Sequence, residues 1–598
     1  MKVLGLSLGI LSTAAILVDD KIVFCASEER FSRVKNDEQY PRKSIEFVLK
    51  EANIKFGELD KVVIAGTSLN LNTHLMRKYS SWSISDQFRL MDEFWRRKLL
   101  FGETPNYNEI FKEKIDTKQF PGENKWNSFL QTISKDYYDI KDNDKYKNFL
   151  HDMVVFTTGI EKSNIIHLDH HSCHAAYAYW ASPLRGQETL IMTGDAFGDG
   201  YSSTLSTINN RGNIECKHQV PADEFILGRL YRHITLLMGM MPDAHEYKIM
   251  GLAPYSKLET LTQAYNVFKD GMYVDGIDFK WNKKPSDLFF WYKERLEQCR
   301  FDGIAGGLQK YLEEILVEYT TNALKKYNCN KLVFSGGLSM NVKANMLIKD
   351  IVGLDEMFVP PSGGDESLAI GACYAYLDQI EKKTNLLPLE NAYLGPDVNK
   401  EDIDIVLKDA KKDGFKVEIA NNEKIADLLI QGRVVGRCVG RMEFGARSLG
   451  NRSIIADPRS SKIVQVINEK IKNRDFWMPF APSIITESEY EMIINEKNLQ
   501  APYMTIAFDS TAFGRDKLSA ACHPSDRTLR PHIVSQSSNK KYHDLISTFK
   551  NKTGVGGLLN TSFNLHGHPV VNSSQDAYDV FKKTDIDVLL FETHFIVK

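Results

Sequence analysis

His170 and His174 stand four residues apart in His170-His171-Ser172-Cys173-His174, a stretch that runs into the Ala-rich Ala175 to Ala178. On a helix that spacing puts both imidazoles on one face, where they can share a metal ion. Two acidic loops offer carboxylates to the same ion: Thr193-Gly194-Asp195-Ala196-Phe197-Gly198-Asp199-Gly200 and Pro361-Ser362-Gly363-Gly364-Asp365-Glu366, each directly after a strand-like run. Two imidazoles with two carboxylates suit Fe(II), Mn(II) or Zn(II) better than Ca(II) or a thiolate-seeking metal. Taken singly, either loop also reads as a Gly-Asp turn and the histidine pair as a polar helix start.

Phosphate chemistry has two further signals. Ser335-Gly336-Gly337 and Ser362-Gly363-Gly364 each lead into a helix-compatible stretch, and backbone N–H groups exposed there can cradle an anion. The G-x-x-x-x-G-K-[ST] pattern is absent, so this is no P-loop. Glycine loops in two halves of one domain point instead to a duplicated actin-like or sugar-kinase architecture that clamps a nucleotide. Between Arg433 and Arg459 lie six arginines (Arg433, Arg437, Arg441, Arg447, Arg452, Arg459) and no lysine. Guanidinium gives planar, bidentate contacts to phosphate. The interleaved glycines and apolar residues of Gly440 to Ser453 read as partly buried, ligand-directed arginines, against the plainer reading of a solvated basic face. Lys472 and Arg474 add charge downstream. Asn560-Thr561-Ser562-Phe563-Asn564, after the strand-like Gly557 to Leu559, supplies uncharged polar groups that can orient a ligand.

The elements that must position these groups are α/β. Val3 to Ser7, Ala15 to Val18 and Ile22 to Ala26 read as strand, turn, strand and strand, followed by a helix from Pro41 to Ala52 and a strand at Lys61 to Ala65. From residue 68 to 156 the pattern is helical and aromatic (Trp82, Trp95, Tyr107, Trp126, Tyr137), which looks like an insertion or cap. Strands resume at Asn164 to Leu168, Thr189 to Thr193, Leu332 to Ser335 and Glu356 to Val359, each opening into a polar or Gly-containing loop, where α/β proteins place ligands. Pro, Gly and Asn at 386–397 mark a linker, with a boundary near residue 395 and a second α/β region running to Lys598.

Composition excludes some classes. The chain has 598 residues, 43% hydrophobic and 26% charged, the balance of an ordinary soluble protein. With 75 Lys and Arg against 78 Asp and Glu, the net charge of -3 provides no overall field for nucleic acid or an anionic membrane. Eight scattered cysteines form no C-x-x-C pair, which argues against a disulfide scaffold or zinc ribbon. Lys2 followed by Val3 to Val18 imitates a secretory signal, but Gly5, Ser7, Gly9, Ser12 and Thr13 break the run and it reads as a buried strand. No uncharged apolar run reaches the roughly 18 residues of a membrane span, so the expected compartment is the reducing cytoplasm.

Taken together, these stretches resemble the O-carbamoyltransferase family that includes the tobramycin, cephalosporin and nodulation-factor carbamoyltransferases. The resemblance covers nearly the whole chain. It is carried by Glu28-Glu29-Arg30-Phe31-Ser32-Arg33, the two-histidine stretch, Glu246-Tyr247-Lys248-Ile249-Met250-Gly251-Leu252-Ala253-Pro254-Tyr255, the Gly336-Gly337 and Asp365 loops, Gly440 to Ser453, Met478-Pro479-Phe480-Ala481-Pro482, and Asn560 to Asn564. It implies a duplicated actin-like (ASKHA, RNase H-like) metal-binding carbamoyl-transfer domain at 1–394, with the helical insertion inside it, and a YrdC-like domain at 395–598. The second would make carbamoyl-adenylate from carbamoyl phosphate and ATP, and the first would pass the carbamoyl group to a hydroxyl of a small molecule, a natural product or a sugar.

Position by position, the resemblance makes His170, His174, Asp195 and Asp365 ligands of Fe(II) or another divalent metal, with Mg(II) a further candidate ion. It puts Lys35 in contact with carbamoyl-adenylate, and Lys35, His171 and Asp195 are the expected catalytic residues. The resemblance sets Arg447, Lys472, Arg530, Asn560 and Ser562 around carbamoyl phosphate or ATP; Arg441 and Arg474 from the basic stretch, with Gly336, Gly337 and Asn341, are expected to complete the ligand-binding set. Where the family usually has His-Asp-Ser-Ala in the first strand-turn-strand, this chain has Leu11-Ser12-Thr13-Ala14. The acceptor-side histidine is absent, so the base role would fall to His171 or to the metal site. The expected partner is a small hydroxyl acceptor, with neither nucleic acid nor membrane, and a homodimer is open. Two other readings remain at this stage: a threonylcarbamoyl-type tRNA modification enzyme, which would want an extended basic surface, and a non-catalytic protein that senses nucleotide or carbamoyl phosphate.

Overall fold

A computed structural model describes residues 1–67, 82–114, 143–472 and 474–598, so the parts of the expected cap at 68–81 and 115–142, with Trp126 and Tyr137, lie outside the described residues. The architecture is mixed α/β with several sheets. The first sheet contains β1 (Lys2–Ser7), β2 (Thr13–Val18), β3 (Lys21–Ser27), β4 (Lys61–Ala65) and β5 (Ile165–Leu168) in the order β3-β2-β1-β4-β5. β1, β2 and β3 form an antiparallel meander, and β4 and β5 extend it in parallel from β1. The apolar opening of the chain is therefore the middle of a sheet: Val3, Leu4 and Leu6 are fully buried, as strands covered on both faces must be.

The second sheet follows the same path. It contains β6 (Leu190–Gly198), β7 (Tyr201–Ile208), β8 (Ile214–Pro221), β9 (Lys331–Ser335) and β10 (Glu356–Phe358), ordered β10-β9-β6-β7-β8. Again three strands form a meander, and two more run parallel to its first strand. One expectation needs correction here. Instead of ending at Thr193 and releasing a loop, β6 continues through Asp195 to Gly198, and the chain reverses at Asp199-Gly200, with φ of 50° and 94°. Two successive residues at positive φ make the tight turn whose twist matches a hairpin.

Two helices lie against these sheets and cross each other. His170–Trp180 follows β5, and Leu368–Ala375 follows the loop after β10. Both are rich in Ala and buried all round, which lets their backbones approach: a Cβ on Gly371 would lie 2.2 Å from the Cys173 carbonyl oxygen. Gly5 plays the same part for β1, where an added Cβ would meet the Ala369 oxygen at 1.9 Å. The crossing brings the start of the histidine helix to the loop that carries Asp365.

The described part of the 68-to-156 region is helical, at Ile84–Arg89, Leu90–Arg96, Arg97–Leu100, Tyr107–Ile110 and Asn143–Thr158. Its aromatics pack on one another, with Trp82 on Phe111 at 4.9 Å and Phe94 edge-on to Tyr107 at 5.6 Å between ring centroids. No helix among the described residues is long and apolar enough to cross a membrane.

After residue 416 the chain builds one eight-stranded mixed sheet. The 390s segment is stitched to it by backbone hydrogen bonds: Gly395 N–H donates to Met442 O at 2.9 Å and Phe444 N–H to Ala392 O at 2.7 Å. Asn560 and Ser562 lie inside the strand Gly557–Ser562 rather than in a loop after it. Strand alternation then sends their side chains to one face.

Candidate functional site

The histidine helix begins with two aspartate anchors. Asp169 Oδ1 accepts from Ser172 N–H at 2.7 Å, and Asp199 Oδ2, reaching from the β6–β7 turn, accepts from His170 N–H at 2.8 Å. Together they satisfy orphan donors of the first turn and fix its direction. His170 Nε2 then lies 3.4 Å from Asp195 Oδ2 and 3.8 Å from Asp365 Oδ1, and His174 Nε2 lies 3.2 Å and 3.6 Å from the same two oxygens. The four donor atoms fall within 4.8 Å of one another and form the one such cluster among the described residues. Glycine is required beside them: a Cβ on Gly198 would sit 2.2 Å from the His170 ring.

Within the cluster the imidazoles and carboxylates stabilise one another's charged forms. Burial pulls His174 down, yet the Asp195 and Asp365 carboxylates outweigh it and raise its pKa to about 9. Burial likewise pushes Asp195 up, and the two imidazoles outweigh that and hold it well below the usual carboxylate range. With no lysine or arginine in the cluster, a divalent ion fits the donor set of two nitrogens and two oxygens.

His171 does not join them. Its Nδ1 is 2.8 Å from Thr193 Oγ1 and its Nε2 is 3.1 Å from Tyr201 O, so both ring nitrogens are engaged inside the fold. Burial, with His170 and His174 nearby, depresses its pKa to about 3. The expected base role is corrected: an imidazole with no accessible nitrogen cannot take a proton from an acceptor. Gly337 N–H points at Asp195 Oδ2 at 3.4 Å, and Gly336, at φ 93°, passes so close to β6 that a Cβ would meet Gly194 O at 2.3 Å. This glycine loop wraps the metal cluster. Asn341 is occupied within the fold, capping its own helix through Ala344 N–H at 3.0 Å and exchanging bonds with the Gln309 amide.

Five of the six clustered arginines have structural partners, which corrects the expectation of a clamp made by that stretch. Arg433 pairs with Asp587 and Arg459 with Asp457. Arg437 donates to Gly450 O, and Arg452, fully buried, donates to five backbone carbonyls. Arg441 is likewise spent on Val23 O and Leu394 O and stacks on Phe24, so it ties the second half to β3. Only Arg447 remains free, its Nε buried without a hydrogen-bond partner.

Its companion comes from 83 residues further on: Arg530 is 8% exposed, and Nε, Nη1 and Nη2 all lack partners. Burial draws Arg530 down to about 10, with the Arg447 charge pressing the same way and Asp526 opposing. An unpaired buried guanidinium is costly, and an anion would satisfy it. Lys472 is buried nearby, hydrogen-bonded to Ser562 O, to Ser562 Oγ at 3.1 Å and to Asn564 Oδ1 at 2.5 Å. Burial, together with the Arg474 and Lys35 charges, holds its pKa well below the usual lysine range. Lys35 from the first half acts on this basic group through its charge, while its Nζ lies 3.6 Å from the buried Glu29. Arg474 stacks on Phe480 at 4.1 Å and donates to Met478 O and Pro479 O. Asn560 donates to Ser448 O and Ser483 Oγ, leaving its Oδ1 buried and unpaired.

Two family models match the chain: "Carbamoyltransferase N-terminus" over residues 2–374 and "Carbamoyltransferase C-terminus" over 426–598. The chain belongs to the carbamoyltransferase family. This carbamoyltransferase is 32% identical over 453 residues to protein MJ1058 of Methanocaldococcus jannaschii, covering 72% of this chain and 73% of that protein. It is 27% identical over 599 residues to nodulation protein NolNO of Sinorhizobium fredii, covering 98% of this chain and 78% of the relative. HypF of T. kodakarensis shows 9% identity and a TM-score of 0.30 over 63% of this chain and 48% of that one, a likeness too loose to argue from.

Sequence reading of this carbamoyltransferase missed the residues that join its halves. Lys248 Nζ lies 2.9 Å from Asp475 Oδ2, Lys343 Nζ 2.9 Å from Asp526 Oδ2, and His523 Nε2 3.0 Å from Gly251 O. The Glu246 to Tyr255 stretch was the only hint, since a run that mixes charge with Gly and Pro has no periodicity to explain it. A cavity of about 990 Å³ opens elsewhere, between the 388–393 segment and residues 489–503, and none of the expected site residues lines it.

Proposed function

We propose that this enzyme is an ATP-dependent O-carbamoyltransferase that modifies a small-molecule hydroxyl, with carbamoyl-adenylate made in the half after residue 395 and used in the half before it. The observation that carries this reading is the pair Arg447 and Arg530, in which four buried guanidinium nitrogens have no hydrogen-bond partner: Nε, Nη1 and Nη2 of Arg530 and Nε of Arg447. Such a pair is suited to a compact polyanion. The repeated strand order of the first two sheets supports a duplicated actin-like unit, and a separate YrdC-like unit is consistent with the eight-stranded sheet.

In the first half-reaction, carbamoyl phosphate loses its phosphate to water, and the carbamate oxygen attacks the α-phosphorus of ATP, releasing pyrophosphate. Arg447, Arg530 and Lys472 would hold the phosphates, and the Asn560 amide would orient the carbamoyl group. In the second, the acceptor oxygen attacks the carbamoyl carbon and AMP leaves. Lys35, whose charge is felt by Lys472, would hold the adenylate phosphate. His170, His174, Asp195 and Asp365 would hold a divalent metal, which supplies Lewis acidity toward acceptor or carbonyl oxygen. Incubation with ATP and carbamoyl phosphate but without acceptor should yield pyrophosphate and carbamoyl-adenylate; their absence with Fe(II), Mn(II) and Zn(II) alike would sink the reading.

A further inference from the structure

The loop that carries Asp365 is held from outside by the second half of the chain. Gly445, at φ 94°, lies against it so closely that a Cβ would stand 2.9 Å from Ser362 Cβ and 3.3 Å from Pro361 O. No side chain fits there, and L residues rarely take that φ. On the other side of the contact, Arg30 from the first half donates through Nη2 to Gly445 O at 3.1 Å, in a buried bond. Within the loop, Ser362 is fully buried and its hydroxyl bonds Glu366, while Gly363 is wedged so that a Cβ would meet Gly336 O at 2.8 Å. Pro361 to Asp365 thus has walls on both sides, the glycine loop that wraps Asp195 and the Gly445 backbone. Arg447 lies two residues further along the same strap.

We propose that Gly445 is a positioning residue for the metal ligand Asp365, so that the second half of the chain sets the geometry of a metal site whose four donors all come from the first. This rests on the metal reading above. Rigid packing makes the link physical: a close-packed contact transmits a shift of a few tenths of an ångström instead of absorbing it. Displacing Pro361 and Ser362 moves Asp365, three residues on, relative to His170 and His174.

The test uses the full chain loaded with Co(II), whose ligand-field absorption reports coordination geometry directly. In Gly445→Ala the Co(II) dissociation constant should rise about tenfold, or ~1.4 kcal/mol, and the absorption bands should shift. The double variant Ser362→Gly/Gly445→Ala removes the atom that the new methyl would strike and should recover at least about threefold of that loss. Ser362→Gly alone, which loses only the hydroxyl bonded to Glu366, serves as the fourth corner of the cycle. General destabilisation would lower the melting temperature of both Gly445 variants without such a rescue. A folded Gly445→Ala protein with unchanged Co(II) affinity and spectrum overturns the proposal while leaving the metal reading intact. Failure of the wild-type chain to bind Co(II) overturns both.

Discussion

Lys343 Nζ lies 2.9 Å from Asp526 Oδ2, a carboxylate whose charge also acts on the unpaired guanidinium of Arg530. Burial pushes Asp526 up, but Lys343 and His523 outweigh it and depress its pKa to about 2. A carboxyl depressed on folding stabilises the fold above its unfolded pKa and loses that contribution as pH falls through the folded one. The window here is about pH 4 down to about pH 2, and the contribution is of order 2 kcal/mol. Lys343→Met should therefore move the acid-unfolding midpoint to higher pH, as followed by circular dichroism, and leave stability at pH 8 to 9 changed only by the lost pairing.

Arg530 should show a trade of stability for binding. An unpaired buried charge destabilises the free protein, so Arg530→Leu should raise stability by ~1–3 kcal/mol in thermal melts without ligand. The same variant should lose about a hundredfold in affinity for inorganic phosphate by calorimetry, equivalent to ~2.7 kcal/mol. A variant that binds phosphate as tightly as wild type would remove Arg530 from the anion site.

The two halves should separate by mutation. His170→Ala removes one of four metal donors and should abolish carbamoyl transfer while sparing pyrophosphate release from ATP and carbamoyl phosphate. Arg447→Ala should lose adenylate formation and retain the bound metal, measured by elemental analysis of the purified protein. Equal loss of adenylate formation in both would show that one site serves both steps.

His171 gives a negative prediction about pH. Its ring is engaged at both nitrogens and stays neutral above about pH 3, so the pH dependence of transfer between pH 5 and 8 should not change in His171→Gln. The variant should instead cost ~1–3 kcal/mol of stability through the lost bond to Tyr201 O, whereas Thr193 Oγ1 keeps its partners on Thr204. A shifted pH profile would restore His171 to the chemistry.

The sequence was legible where one residue type has one use. The i, i+4 histidines lie on one helix face, and apolar runs such as Val3 to Ser7 and Lys61 to Ala65 are strands because nothing but a buried sheet takes them. The arginine stretch was misread for a physical reason. A guanidinium that ties loops together through carbonyls and one that waits for a phosphate look alike in sequence, since both Arg452 and Arg447 are followed by serine and an apolar residue. Arg452 and Arg447 differ only in whether backbone oxygens happen to converge on them, which is a tertiary fact. Arg530, isolated in sequence, carried no local signal of its own and entered through resemblance. His171 stood out with its neighbours, yet a helix turns each residue by about 100°, and that rotation sends its ring into the core while His170 and His174 face Asp195.

The repeated sheets give the metal site a mechanical meaning. Two donors sit on the helix after the first sheet, and the other two belong to the first strand of the second sheet and to the loop after its last. The histidine helix nevertheless packs on the second sheet beside Asp195, while Asp365 leads into the helix that packs on the first, so an ion held by all four donors would act as a clasp between the two layers. Withdrawing such an ion with a chelator should release the clasp, and amide exchange should quicken first in the seam where Gly371 crosses Cys173, the neighbour of His174.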